Sequence, residues 1–167
     1  MNKSRNEFFK HIVPFSGRKL VLSLAFYTFG ASAAATAGIL PEGKFHGEGL
    51  WKSSKEKGTY EVSIAIEGNT VSSAYQLPDG SIKKWSFTMA DTANGLFKVT
   101  SQGVEIGEGY CLDQAQVCHY TVSVGPLTLE ETVTYMDQTL YRFGSKDEGR
   151  GLIAWQEKLN VSIEHKD

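Results

Sequence analysis

Alternation is the clearest pattern along the chain. In residues 59–67, TYEVSIAIE, one face carries Tyr60, Val62, Ile64 and Ile66, and the other Thr59, Glu61, Ser63, Ala65 and Glu67. A period of two over this length predicts a half-buried strand. Turn residues follow at Gly68-Asn69 and, after TVSSAYQL, at Pro78-Asp79-Gly80. The next segment, SIKKWSFTMA, puts Trp85, Phe87 and Met89 on one face. Further short segments (LFKVT, VEIGEGYCL, VCHYTVSV, LTLEETVTYM, TLYRFG and GRGLIAWQE) are again separated by turn residues. No segment carries a helical stripe.

Regularly spaced short strands with short connections predict an all-β barrel or sandwich. The connections suit an antiparallel meander, and closing a meander removes its two exposed edges. The expected fold is therefore an antiparallel up-and-down barrel of about eight to ten short strands, wide enough inside for side chains or one small ligand. An immunoglobulin-like sandwich is the alternative, but it needs long Greek-key crossings.

The first 37 residues differ in kind. Lys3, Arg5, Lys10, Arg18 and Lys19 precede an uncharged run, LVLSLAFYTF, and then the small residues GASAAATAG. That order predicts a secretory signal over residues 1–37, cleaved after Ala33 or Ala37. The apolar run falls short of the ~20 residues a membrane span needs. Residues 4–10, SRNEFFK, resemble a twin-arginine signal with Asn6 in place of the second arginine. Residues 38–167 then form one domain, expected in the periplasm or secreted. They hold 12 basic and 18 acidic residues, a net charge near −6. This argues against nucleic acid and anionic membranes as partners, which require a basic patch.

The chain has two cysteines, Cys111 and Cys118. In an oxidising compartment this pair predicts a disulfide, with 113–116 as a hairpin turn. The implied register sets Tyr110 against His119, Gly109 against Tyr120 and Gly107 against Val122. It also places two apolar rows on opposite faces of the hairpin: Val104, Ile106, Glu108, Tyr110 and Leu112 on one face, and Cys118, Tyr120, Val122 and Val124 on the other. Either one row is the outer face or a bulge intervenes.

Candidate site residues come from polar groups in apolar rows and from clustered aromatics. Glu131 shares a face with Leu127, Leu129, Val133 and Tyr135, and Glu108 lies in a similar row. A buried carboxylate requires pairing or protonation. Arg142 and His119 are the candidate partners of Glu131, and a barrel mouth or structural salt bridge is the alternative role for both carboxylates. The expected ligand-binding set is Trp51, Tyr60, Trp85, Phe87, Glu131, Tyr135 and Arg142. No catalytic motif, zinc spacing, phosphate loop or nucleophile elbow occurs, and these residues leave the identity of any cofactor open. Residues 160–162, NVS, form a glycosylation sequon, relevant in a eukaryotic secretory pathway.

Residues 43–51, GKFHGEGLW, carry a family resemblance. Gly49-Leu50-Trp51 matches the Gly-x-Trp opening of lipocalin and fatty-acid-binding (calycin) barrels, and Gly43-Lys44-Phe45 is the same pattern with Phe. The resemblance implies that the aromatic plugs a closed end, and that a late basic residue, Arg142 or Arg150, stacks on it. The helical pair of the fatty-acid-binding branch is absent, because only KSSKEKG lies between the first two strands. GKFHGEG also resembles the first strand of haem-binding nitrobindin barrels, which implies a histidine ligand near the C-terminus, here His165. The expected function is non-catalytic binding of a small, largely apolar ligand. A filled barrel acting as a structural or inhibitor protein toward a protein partner is the alternative, and an enzyme using an interior Glu/His/Tyr set is a third reading.

Overall fold

The computed structural model describes residues 39–112, 116–149 and 151–162. The proposed leader, Arg150 and His165 lie outside them. Ten strands follow in order: β1 (Gly43–Ser53), β2 (Lys57–Glu67), β3 (Thr70–Gln76), β4 (Ile82–Ala93), β5 (Leu96–Ser101), β6 (Val104–Leu112), β7 (Val117–Val124), β8 (Leu127–Met136), β9 (Thr139–Asp147) and β10 (Leu152–Val161). Each pairs antiparallel with the next, and β10 closes on β1 with Trp51 opposite Trp155. The all-β, up-and-down barrel expected from the alternation is the observed fold, and no helix occurs among the described residues.

Tight turns enforce this topology. Gln102-Gly103, Asn94-Gly95 and Asp137-Gln138 all have positive φ at both central residues. That matches the right-handed twist of a two-residue hairpin, so each strand returns directly beside its predecessor.

The two ends of the barrel differ. One end gathers the β2–β3, β4–β5, β6–β7 and β8–β9 turns. Here the segment before β1 crosses the barrel: Leu40 is buried in the core, Ile39 N–H donates to Asn69 Oδ1 at 3.3 Å, and Gly68 N–H donates to Glu42 Oε1 at 3.1 Å. Phe45, Ile64, Ile66, Met89, Leu140 and Leu159 fill this half and are almost wholly buried. The other end, with the β1–β2, β3–β4, β5–β6, β7–β8 and β9–β10 turns, carries the polar interior.

The Cys111–Cys118 disulfide forms across β6 and β7, in the register expected from the spacing, with Gly109 opposite Tyr120 and Gly107 opposite Val122. The structure also resolves the two apolar rows. Cys118, Tyr120 and Val122 point inward, whereas Glu108, Tyr110 and Leu112 lie on the outside. Pairing with β5 shifts between Val99 and Thr100, which makes Ile106 an extra residue in β6. An outer face and a bulge therefore both occur, and Glu108 is an exposed carboxylate rather than an interior one.

The Gly-x-Trp stretch acts differently from what the calycin resemblance implies. Trp51 is buried, but at the end opposite the Leu40 plug, and its indole covers Gly58, where an added Cβ would come within 2.6 Å of Nε1. Gly49 makes room for Tyr60 instead, since a Cβ there would fall 2.2 Å from the phenol ring.

Truncating a buried tryptophan of this kind removes about 3–5 kcal/mol, a large part of the ~5–15 kcal/mol available to a domain. Trp51→Ala is expected to lower the urea midpoint sharply, and an unchanged midpoint would exclude a role for Trp51 in closing the barrel.

Candidate functional site

Glu131, Arg142 and Glu157 meet inside the barrel because alternation brings β8, β9 and β10 side by side with these positions facing in. Arg142 lies directly opposite Glu157 and one step diagonal to Glu131, which is opposite Gly144. Arg142 Nε donates to Glu131 Oε1 at 2.6 Å and Nη2 to Glu131 Oε2 at 2.8 Å, a two-pronged pair. Nη1 donates to Glu157 Oε2 at 2.7 Å. All three residues are buried, with Arg142 only 4% exposed.

Tyrosines complete the cluster. Tyr120 Oη donates to Glu131 Oε1 at 2.6 Å from the neighbouring strand. Tyr60 Oη donates to Glu157 Oε1 at 2.7 Å from β2, two strands away. Its ring spans β1 by lying over Gly49, the direct partner of both Glu157 and Tyr60. Tyr75 Oη is 3.4 Å from Arg142 Nη1. Among the described residues, no buried side-chain nitrogen or oxygen lacks a hydrogen-bond partner.

Charge behaviour follows from burial and proximity. Burial, then the adjacent carboxylate, pushes the Tyr60 and Tyr120 hydroxyls far above the ordinary phenol range, so both remain donors. Burial alone would lower the Arg142 value, but Glu131 and Glu157 together outweigh it and fix the positive charge. Glu157 is raised above the usual carboxylate range, mainly by burial, with Arg142 opposing.

This cluster forms the floor of a cavity toward the end opposite the plug. Trp85, Phe87, Leu127, Leu129 and Trp155 wall it, and Lys146 stands near its outer rim. About 50 Å³ is open to the centres of water-sized molecules, room for roughly a few waters. Ring contacts stiffen one wall: Trp85 and Phe87 lie 6.4 Å apart, and Phe87 and Tyr120 5.5 Å.

Of the seven residues expected to bind ligand, Tyr60, Trp85, Phe87, Glu131 and Arg142 line this cavity. Trp51 lies beyond it at the same end. Tyr135 sits in the plugged half against Phe45, at 6.0 Å between ring centres. Arg142 is the partner of Glu131, while His119 hydrogen-bonds Thr132 at 3.0 Å. Among the described residues no histidine lines the cavity. Sequence reasoning missed Glu157, Lys146, Tyr75 and Trp155. The signal for Glu157 was available, because Ile153, Trp155, Glu157 and Leu159 alternate just as the Glu131 row does.

No family model and no curated relative matches the chain. Among solved structures, it is similar to the S-type phycobiliprotein lyase CPES from Guillardia theta. The match has a TM-score of 0.58 at 9% identity and covers 74% of this chain and 89% of that one. At that identity the likeness concerns the fold, a closed antiparallel β-barrel.

Removing one partner of a buried ion cluster leaves uncompensated charge and costs about 3–5 kcal/mol. Arg142→Met is expected to destabilise the protein by that amount at neutral pH. Adding Glu131→Gln and Glu157→Gln should restore most of the loss in urea unfolding, and failure to do so would show that packing rather than charge dominates.

Glu157 gives a pH-dependent expectation. Its folded-state pKa lies above the unfolded value of about 4.3, so folding favours the protonated form. The stability of the wild type relative to Glu157→Gln is therefore greatest below the unfolded value. It declines as pH rises through the folded one. Urea midpoints of both proteins across that window test this, and a difference independent of pH contradicts it.

Proposed function

We propose that this chain is an exported, non-catalytic barrel that binds one small, largely apolar molecule. In this reading residues 1–37 are a cleaved signal peptide and residues 38–167 the mature barrel. The observation that carries it is the interior cavity, with aromatic and aliphatic walls ending on a fully hydrogen-bonded Glu131–Arg142–Glu157 floor. Small-molecule sites typically combine apolar walls with a few placed polar groups. The Cys111–Cys118 disulfide supports an oxidising compartment.

The fold likeness to a phycobiliprotein lyase supports a barrel that engages a small molecule of bilin type. The cavity size favours something more compact, since ~50 Å³ is far below the ~300–1,000 Å³ of drug-sized sites. The same small volume favours a second reading, a filled barrel that presents its surface to a protein partner. Leu50, Phe143, Tyr110 and Leu96 are large apolar residues exposed on the outside and support that alternative.

Native mass spectrometry of protein exported by its own host is the deciding measurement. The expected result is a chain beginning near Ala34 or Gly38 that retains a small molecule. Thermal unfolding with alcohols, fatty acids, retinoids and haem should show an upward shift with at least one compact apolar compound, by mass action. A bare mass with no response to any compound moves the assignment to the filled, partner-binding barrel.

A further inference from the structure

Among the described residues, Lys146 is the one lysine buried in the barrel. It follows Leu140, Arg142 and Gly144 in the inward row of β9 and lies opposite Leu129 on β8 and Ile153 on β10. Its side chain is 6% exposed and lines the cavity, sharing the wall with Leu127, Leu129 and Trp155. Its ammonium contacts Glu148 Oε1 at 2.5 Å, and the Glu148 side chain is itself only 10% exposed. The Arg142 cluster deeper in the barrel has its own hydrogen-bond partners in Glu131, Glu157 and Tyr75. Lys146 therefore places a primary amine, with its own carboxylate, inside an apolar pocket.

We propose that Lys146 is a covalent capture site for small apolar aldehydes, which it holds as an imine. The inference deepens the ligand-binding reading above and rests on it. A desolvated lysine in a hydrophobic pocket is an activated amine nucleophile toward carbonyl compounds. Burial, partly offset by Glu148, lowers the pKa of Lys146 and increases the fraction of neutral amine.

The chemistry balances without a redox partner. The neutral Nζ attacks the aldehyde carbon and forms a C–N bond as the C=O π bond breaks, and the proton that Nζ gives up passes to the former carbonyl oxygen, which becomes a hydroxyl. A second proton, delivered through Glu148, lets that hydroxyl leave as water when the C–O bond breaks. The product is a protonated imine whose positive charge faces the Glu148 carboxylate, the counter-ion already within hydrogen-bonding distance. Hydrolysis by the same steps in reverse releases the aldehyde. The alkyl chain then lies along Trp155, Leu127 and Leu129. The narrow cavity favours a slender, unbranched chain.

The test uses the folded, disulfide-bonded protein with hexanal and sodium cyanoborohydride, followed by peptide mapping. The expected result is a single hexyl group, predominantly on Lys146, formed at a lower pH than on the exposed Lys52, Lys83 or Lys84. Lys146→Arg keeps the charge toward Glu148 but removes the nucleophile. It should fold, with an unchanged far-ultraviolet spectrum, and lose this adduct. Glu148→Gln should slow adduct formation while leaving Lys146 the preferred site. Labelling spread over exposed lysines without preference for Lys146 overturns the inference. In parallel, 1-hexanol separates the two readings. If hexanol raises the unfolding temperature and no Lys146 adduct forms, the covalent step fails and the pocket stands. If hexanol has no effect and no adduct forms, both fail.

Discussion

The interior of this barrel depends on one guanidinium held between two carboxylates. Taking Arg142, Glu131 and Glu157 out of water is costly, and attraction offsets that cost only when geometry and hydrogen bonding are nearly complete. Here they are, with three charge-assisted bonds from Arg142 and one phenol on each carboxylate. The five residues come from β2, β7, β8, β9 and β10, so half the strands share one polar constraint. A one-residue slip of any of them would turn its polar group outward and its exposed neighbour inward. An apolar interior of the same volume would tolerate such slips better. The cluster therefore ties the register of these five strands to one another.

That constraint explains Gly49 in GKFHGEGLW. Tyr60 must reach from β2 across β1 to Glu157, and any side chain at position 49 would block its ring. Gly144 does the same for Trp155, whose ring would lie 2.2 Å from an added Cβ. Aromatic rings laid over bare strand positions let bulky groups occupy a narrow interior without spreading the strands. Gly49 therefore marks where a ring from a neighbouring strand lies down, Gly47 lies where an added Cβ would fall 2.0 Å from the backbone oxygen of Lys158 on β10, and the tryptophan after them serves the rim rather than a closed floor. The floor at the other end belongs to Leu40 and Phe45, supplied by the chain just before and within β1.

Most of the fold was legible from local rules. Alternation and turn residues specify the strands, and the disulfide spacing specifies the β6–β7 register. Glu131 and Arg142 stood out because a charge in an apolar row is costly enough to require a partner. What remained hidden depended on closure. Glu157 carries the same signal, but its partners are spread over strands distant in sequence. Glu108 was ambiguous because both faces of its hairpin are apolar, and only the bulge at Ile106 and the inward-facing glycines decide between them. The end at which Trp51 lies depends on what covers the opposite end, and that cover is a two-residue segment, Ile39-Leu40, with no periodicity of its own.

The balance of charge inside also constrains what the cavity accepts. The floor sets one guanidinium against two carboxylates, and Arg142 has already directed donors to both. An incoming carboxylate would face Glu131 and Glu157 and would have to displace bonds already about 2.6–2.8 Å long in order to reach Arg142. Fatty-acid-style anchoring through that arginine is therefore disfavoured, although the barrel and an interior arginine superficially suit it. Neutral groups meet a different environment, because the walls are aromatic and aliphatic. The amine on the rim, Lys146, already has a carboxylate beside it to balance positive charge. Uncharged molecules with one electrophilic or hydrogen-bonding end match this distribution, with the reactive end at the Lys146–Glu148 rim and the saturated ion cluster as a rigid, unreactive floor.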